Sequence, residues 1–271
     1  MATVNEKMTA IADNIREKTG GTEELSLDEM ASGVDEVYEA GCNDHNRAFW
    51  EQYQNGGKRT DYSRAFTCGI NGDMVVFNKE TFTPIYDMYV TNADRMFKGG
   101  LKGIDDLVEH LENLGVILDF SKNTTFNQTF SLMFGNSPKR IGVIDTTGML
   151  PENTLNVTFN KSNIVTIDKI ICLSTTIFGT AFSTSDKLEN ITFEGEIGLD
   201  INFSVSPLTV ESLKSIITHL KDYSGTTSEY TYTLTFKTSA FEALEAEGNT
   251  SPNGNTWTEY IDDLKWNLTL A

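Results

Sequence analysis

The sequence predicts an α+β fold built around a short parallel-sheet solenoid, with a helical and aromatic cap before it and an α/β cap after it. Three observations carry this. First, FSLMFGNSPKRIGVIDT (130–146), LNVTFNKSNIVTIDK (155–169) and FGTAFSTSDKLENITFE (178–194) read as one pattern written three times. Each opens on two apolar residues four apart: Phe130 and Phe134, Leu155 and Phe159, Phe178 and Phe182. Each closes on a short apolar run: Ile141–Ile144, Ile164–Ile167 and Leu188–Ile191. Second, the equivalent positions Ile144, Ile167 and Ile191 recur every 23–24 residues, inside the range of leucine-rich-repeat-like units. Third, one such unit cannot bury its own apolar face, so the copies must stack and share a core. A looser copy ends in GVILDF (115–120), after Met96-Phe97.

In chain order, 1–48 reads as amphipathic helices. Met8, Ile11 and Ile15 lie on one stripe of a helix over 3–18, which Gly20-Gly21 stops. Ser26 and Glu29 form a capping box for a second helix, with Leu27, Met30, Val34 and Val37 on one face. Helices this short need a partner for their stripes, which predicts attachment or oligomerisation. Residues 49–95 form an aromatic cap: Phe49, Trp50 and Tyr53 at helical spacing, then Asn71-Gly72 as a hairpin turn. The repeats occupy 96–204, with a helix over Asp105–Leu114 and one parallel strand per copy. Residues 205–271 form the C-terminal cap. It holds a helix over Leu208–Leu220 capped by Thr209, an edge-type strand over Tyr230–Phe236 and a helix over Ala240–Glu247. A helical turn over Thr258–Leu264 and a last strand over Trp266–Leu270 complete it.

Composition narrows the function. With 39% apolar and 22% charged residues the chain belongs with folded proteins. Lys and Arg number 21 against 39 Asp and Glu, a net charge of −18, and such a surface repels nucleic acid and anionic membranes. No apolar run is long enough to span a bilayer. The N-terminus lacks a basic start followed by an apolar stretch, so no export by the usual route is expected. Cys42, Cys68 and Cys172 are too scattered for a disulfide framework or a metal pair, and His45, His110 and His219 form no catalytic motif.

One constellation invites a chemical reading. Asp119, Asp145 and Asp168 follow the apolar runs of successive copies, so a parallel stack would set their carboxylates in a column. Like charges at that spacing need either a cation or backbone N–H donors. Asp105-Asp106 and Asp262-Asp263 are adjacent, and adjacent helical residues point apart, which suits a solvated face better than an acid/base pair. Asn-x-Ser/Thr triplets at Asn123, Asn127, Asn156, Asn190 and Asn267 read as turn chemistry. No nucleophile–base set, phosphate loop or cofactor motif is present, so no catalytic activity and no cofactor are expected.

The repeat stretch resembles the leucine-rich repeats of bacterial surface antigens (BspA-like), a resemblance that implies an adhesive solenoid. The flanks resemble minor structural proteins of phages and prophages of gut Firmicutes. IADNIREKTGGTEELSLDEMASGV (11–34) is similar to their opening, and FWEQYQNGGKRTDYSRAF (49–66) and ETFTPIYDMYVTNADRMF (80–97) to the segments that follow. LENITFEGEIGLDINFS (188–204), SPLTVESLKSIITHLKDYSG (206–225) and the closing WNLTLA are similar to their C-terminal half. The chain departs from that pattern at Thr67–Lys79, where the hairpin replaces a short Gly-Trp turn, and in the loop Asn249–Asn255. The resemblance implies a virion component assembled in the host cytoplasm: a tail-tip, baseplate or fibre protein. It would be held to other virion proteins by the N-terminal helices, as a homo-oligomer such as a trimer, and would face a host cell-surface glycan or protein. A capsid-attached head fibre or decoration protein, or a bacterial surface adhesin, is the alternative.

Overall fold

The computed structural model describes Asp13 and residues 60–66, 77–80, 82–84, 86–227, 232–248 and 250–271. The chain divides into two compact units, Met1–Lys58 and Arg59–Ala271, and every element named below belongs to the second. The helices expected over 3–18 and 26–37, the Phe49–Tyr53 turn and the Asn71-Gly72 hairpin lie outside the described residues.

Among its described residues the second unit is mixed α/β, with four helices and short strands whose every pairing is parallel, and no barrel closes among them. Its organising unit is a six-residue turn. DYSRAF (61–66), NADRMF (92–97), TFNQTF (125–130), TLNVTF (154–159) and IFGTAF (177–182) lie one upon the next. Tyr62 N–H donates to Asn92 O, Ala93 N–H to Thr125 O and Leu155 N–H to Ile177 O, at 2.8–3.2 Å. At the far end of the turns, Phe66 N–H donates to Met96 O, Phe97 N–H to Thr129 O and Phe130 N–H to Thr158 O.

In the first four of these turns the opening residue is chosen for its side-chain oxygen; the fifth opens on Ile177. Asp61 Oδ1 accepts from Ser63 N–H at 2.8 Å, and Asn92 Oδ1 from Asp94 N–H at 3.0 Å. Thr125 and Thr154 hydroxyls accept from Asn127 and Asn156 N–H in the same way. Thr129 and Thr158 are fully buried because each hydroxyl donates to a carbonyl one copy back, Ala93 O at 2.7 Å and Phe126 O at 2.9 Å.

The last residue of each turn builds the core. Phe66, Phe97, Phe130, Phe159, Phe182, Phe203, Phe236 and Phe241 form one file of stacked rings. Successive centroids lie 4.6–6.2 Å apart and successive planes within 9–26°. This corrects the alignment read from the sequence. The apolar pair of that copy is Phe126 and Phe130, not Phe130 and Phe134. Phe134 is 46% exposed, with φ +46°, in the left-handed stretch that follows the turn. Both pairs are four apart, so apolar spacing alone could not choose between them. The file also begins at Phe66 and runs to Phe241, so the boundaries expected at 95/96 and 204/205 are not breaks in the core.

Strands β1 (Phe77–Asn78) and β3 (Leu101–Lys102) pair, as do β2 (Met88–Tyr89) and β4 (Leu118–Asp119). Between β3 and β4, α1 (Leu107–Leu114) starts at Asp106, whose carboxylate caps Glu109 N–H, and ends on Gly115 in the left-handed region. Strands β5 (Arg140–Asp145), β6 (Thr166–Cys172) and β7 (Asn190–Gly195) form a three-stranded sheet in that order. Its register sets Ile141 beside Ile167 and Ile191, and Ile144 beside Ile170, which faces Phe193 across a β6 irregularity. The expected equivalence of Ile144 with Ile167 is therefore wrong by one apolar step. Each run offers two apolar residues that could have been matched, and backbone pairing takes the other choice.

Beyond β7, β8 (Ile201–Phe203), β9 (Tyr232–Phe236) and β10 (Trp266–Leu270) form a second parallel sheet, order β10-β9-β8. Tyr232–Phe236 thus occupies the centre of a sheet rather than the edge expected from its alternation. Helix α2 (Val210–Thr218) takes Thr209 as N-cap, as the sequence indicates. Helices α3 (Thr238–Glu245) and α4 (Trp257–Asp263) complete the unit, α4 opening on a Thr256–Glu259 capping box.

Candidate functional site

The stacking is interrupted between β4 and β5. Asp106 makes a single parallel bridge to Arg140, and the chain then leaves the sheet as α1 instead of continuing as a strand beside β5. The result is a cleft of about 290 Å³ walled by α1, β4 and β5. Leu107, Val108 and Leu111 line it from the helix, Val116–Leu118 from the segment below, and Ile141–Ile144 from β5. Gly142 eases the approach of the helix, because a Cβ there would meet Val108 Cγ2 at a tight 3.2 Å.

The cleft opens onto apolar surface. Ile117 and Val143 are exposed at its mouth, Leu114 is exposed at the end of α1, and Tyr86 and Tyr89 are exposed on and beside β2. The patch is held in shape: Ile117 N–H donates to Asp87 Oδ1 at 2.9 Å and Met88 N–H to Ile117 O at 2.7 Å. Exposed apolar side chains grouped in this way around a concavity mark a contact surface.

One flank of the cleft is fixed by Arg140. Its Nε and Nη2 donate to the two oxygens of Asp168 at 2.7 and 2.8 Å, and its Nη1 donates to Asp106 Oδ2 at 3.0 Å. Those carboxylates hold the guanidinium firmly charged. Burial works against the Asp106 carboxylate, but the Glu109 N–H and Arg140 outweigh it, so its pKa falls below the usual 3.8. Both acids that touch Arg140 are thereby neutralised, whereas Glu112, exposed on α1 at the cleft wall, has no ion-pair partner among the described residues.

The three aspartates proposed from the sequence do not form a column. Asp145 pairs with Ile171, three residues beyond Asp168, while Asp119 belongs to the β2–β4 pair. Each carboxylate has its own neutraliser: Asp119 accepts from Ser121 N–H, Asp145 from Thr147 N–H and hydroxyl, and Asp168 from Arg140. Among the described residues no cluster of His, Cys, Asp or Glu could hold a metal ion. Asp105 and Asp106 do diverge: Asp105 is exposed opposite Lys139, and Asp106 caps the helix. Asp263 accepts from the amides of Asn253 and Asn255. Cys172 is buried and its thiol pKa is pushed up to about 12 by that burial, which makes it a core hydrophobe. His110 and His219 are each spent on a backbone carbonyl, Phe82 O and Ser215 O.

Sequence reasoning passed over Arg140 and Gly142, and took Tyr86 and Tyr89 as part of the aromatic cap over 49–95. The signal for Arg140 was present: once β5 and β6 are set in register, Asp168 falls two residues past its partner Thr166, on the same face. No family model, no curated protein and no solved structure matches this chain.

Proposed function

We propose that this chain is a non-enzymatic phage virion component, a tail-tip, baseplate or fibre protein. In this reading Arg59–Ala271 is a leucine-rich-repeat-like solenoid that presents its α1–β5 face to the host surface, and the N-terminal helices attach it to other virion proteins. The observation that carries the reading is the single file of rings from Phe66 to Phe241. A core with one apolar layer per copy suits a stiff presenting element, since each copy needs only its neighbours. The negative charge and the apolar cleft fit a binding role. Immunogold electron microscopy of purified virions, with antibody against residues 96–271, tests it. Gold at the tail tip is the expected result. Gold over the capsid would move the protein to the head as a fibre or decoration protein, and unlabelled virions would overturn the virion placement.

A further inference from the structure

The cleft is bounded by two sheet edges. Ile117 O and Asp119 O accept from Met88 N–H and Val90 N–H, so along β4 it is the Leu118 peptide groups that face away from β2, toward the cleft. Lys139 O accepts from Thr166 N–H, and Arg140 N–H turns the other way, to Asp105 O. By the two-residue alternation of a strand, Gly142 and Ile144 therefore also direct their N–H and C=O away from β6, toward α1. No strand lies on that side of β5 among the described residues.

The opposite edge of the same sheet is treated differently. Beside β7, α2 brings Ser212 and Ser215, whose hydroxyls accept from Ile191 N–H at 3.0 Å and Phe193 N–H at 2.9 Å. Helix α1 stands at the β5 edge in the same role but carries Leu107, Val108 and Leu111 there, which can accept nothing. One helix closes its edge and the other leaves a slot.

From this geometry we infer that the cleft takes an extended peptide as an added strand, lying between Leu118 and Gly142–Ile144, with apolar side chains in the cleft and a Lys or Arg against Glu112. Main-chain pairing supplies the seat and alternate side chains the choice of partner. The sign of the charge follows from the rim, where Arg140 is consumed by Asp106 and Asp168 and Glu112 is left to pair. The inference goes beyond the virion reading and does not rest on it: gold labelling tests where the protein sits, peptide binding tests what the cleft accepts.

The test uses the full chain and fluorescein-labelled hexapeptides of the form Lys-X-Thr-X-Lys-X, with X as Val, Leu or Phe, read by anisotropy. Controls carry Glu for Lys, or N-methylated X residues. Hydrogen exchange over 140–145 is followed with and without peptide. Saturable binding of a cationic peptide is expected, with exchange slowed over β5. Affinity should fall about tenfold for the acidic analogue and for Glu112→Lys, a surface change whose melting temperature should match the parent. Binding that ignores N-methylation and leaves exchange over 140–145 unchanged would overturn strand addition. Equal affinity for both charge forms would overturn the role of Glu112, and absence of saturable binding at millimolar peptide would overturn the site.

Discussion

Replacing Phe159 by Ala removes a ring from the middle of the file. Phe159 is 1% exposed and stacks on Phe130 at 5.8 Å and on Phe182 at 5.2 Å, both within 11° of parallel. Truncating a buried Phe costs about 3–5 kcal/mol in transfer and cavity terms. A site flanked by rings on both sides belongs in the upper half of that range, since about 0.5–1.5 kcal/mol is lost at each stacked pair. Neighbours cannot close the gap easily, because each ring is tied to a turn whose backbone bonds the next turn. For a unit of this size about 4 kcal/mol lowers the melting temperature by roughly 8–16 °C. Phe134→Ala is the matched control: the same atoms leave, but from a half-exposed ring outside the file, at a cost of about 1 kcal/mol or less. Urea unfolding followed by circular dichroism reads both. Equal losses for the two variants, or a loss under about 1.5 kcal/mol for Phe159→Ala, would refute the ring file as the core.

Three further outcomes are expected. Because the Asp106 pKa is depressed on folding, its contribution is complete above the usual 3.8 and is lost as pH falls through the folded value; Asp106→Asn, which keeps a capping side chain, should cost about 1 kcal/mol at pH 7 and progressively less as the pH is lowered below 3.8, and a gap between parent and variant that widens with acid would contradict this. Gly195 has φ +92° and a Cβ there would collide with Cys172 O, so Gly195→Ala should lose about 2 kcal/mol or more in urea while Gly225→Ala, with open space around it, stays within about 0.5 kcal/mol; equal effects would show that the close approach is not needed. Iodoacetamide at pH 8 followed by peptide mass mapping should leave Cys172 unmodified in the folded protein and label it in urea, and native labelling at the unfolded rate would contradict its burial.

The sequence was most legible where one residue type performs one task in every copy. The run of Phe residues, the short β-branched runs and the Thr209 cap all follow from local chemistry and appear where that chemistry places them. Register was not legible, because it depends on which of two apolar residues three or four apart meets its counterpart. Phe130 and Phe134 are equal by hydrophobicity and unequal by turn: only the former ends a segment opened by an oxygen-bearing side chain, Thr125, that caps a backbone N–H. The Asp column failed for the same reason. A slip of one apolar step moves Asp145 opposite Ile171 and sends Asp168 to Arg140.

The intervals along the ring file explain where the cleft had to arise. From Phe159 to Phe182 and on to Phe203 the chain closes a copy in 23 and 21 residues, room for one turn, one strand and the return. From Phe97 to Phe130 it spends 33, as it does from Phe203 to Phe236, where the surplus forms α2. Phe97 and Phe130 must still meet at 5.4 Å, so the surplus between them cannot enter the core and has to leave the stack sideways. It leaves as α1, whose Leu107 and Leu111 are buried and whose N-cap Asp106 is pinned by Arg140. Once a helix replaces a strand, the next strand loses a hydrogen-bonding neighbour. β5 is that strand, and Gly142 at its centre spares Val108 of the helix a tight contact. A copy that only needed to extend the stack would carry no such insertion, as the 21- and 23-residue copies demonstrate. The long interval before Phe130, the missing strand partner of β5 and the exposed apolar rim therefore have one origin, the insertion that leaves the stack as α1.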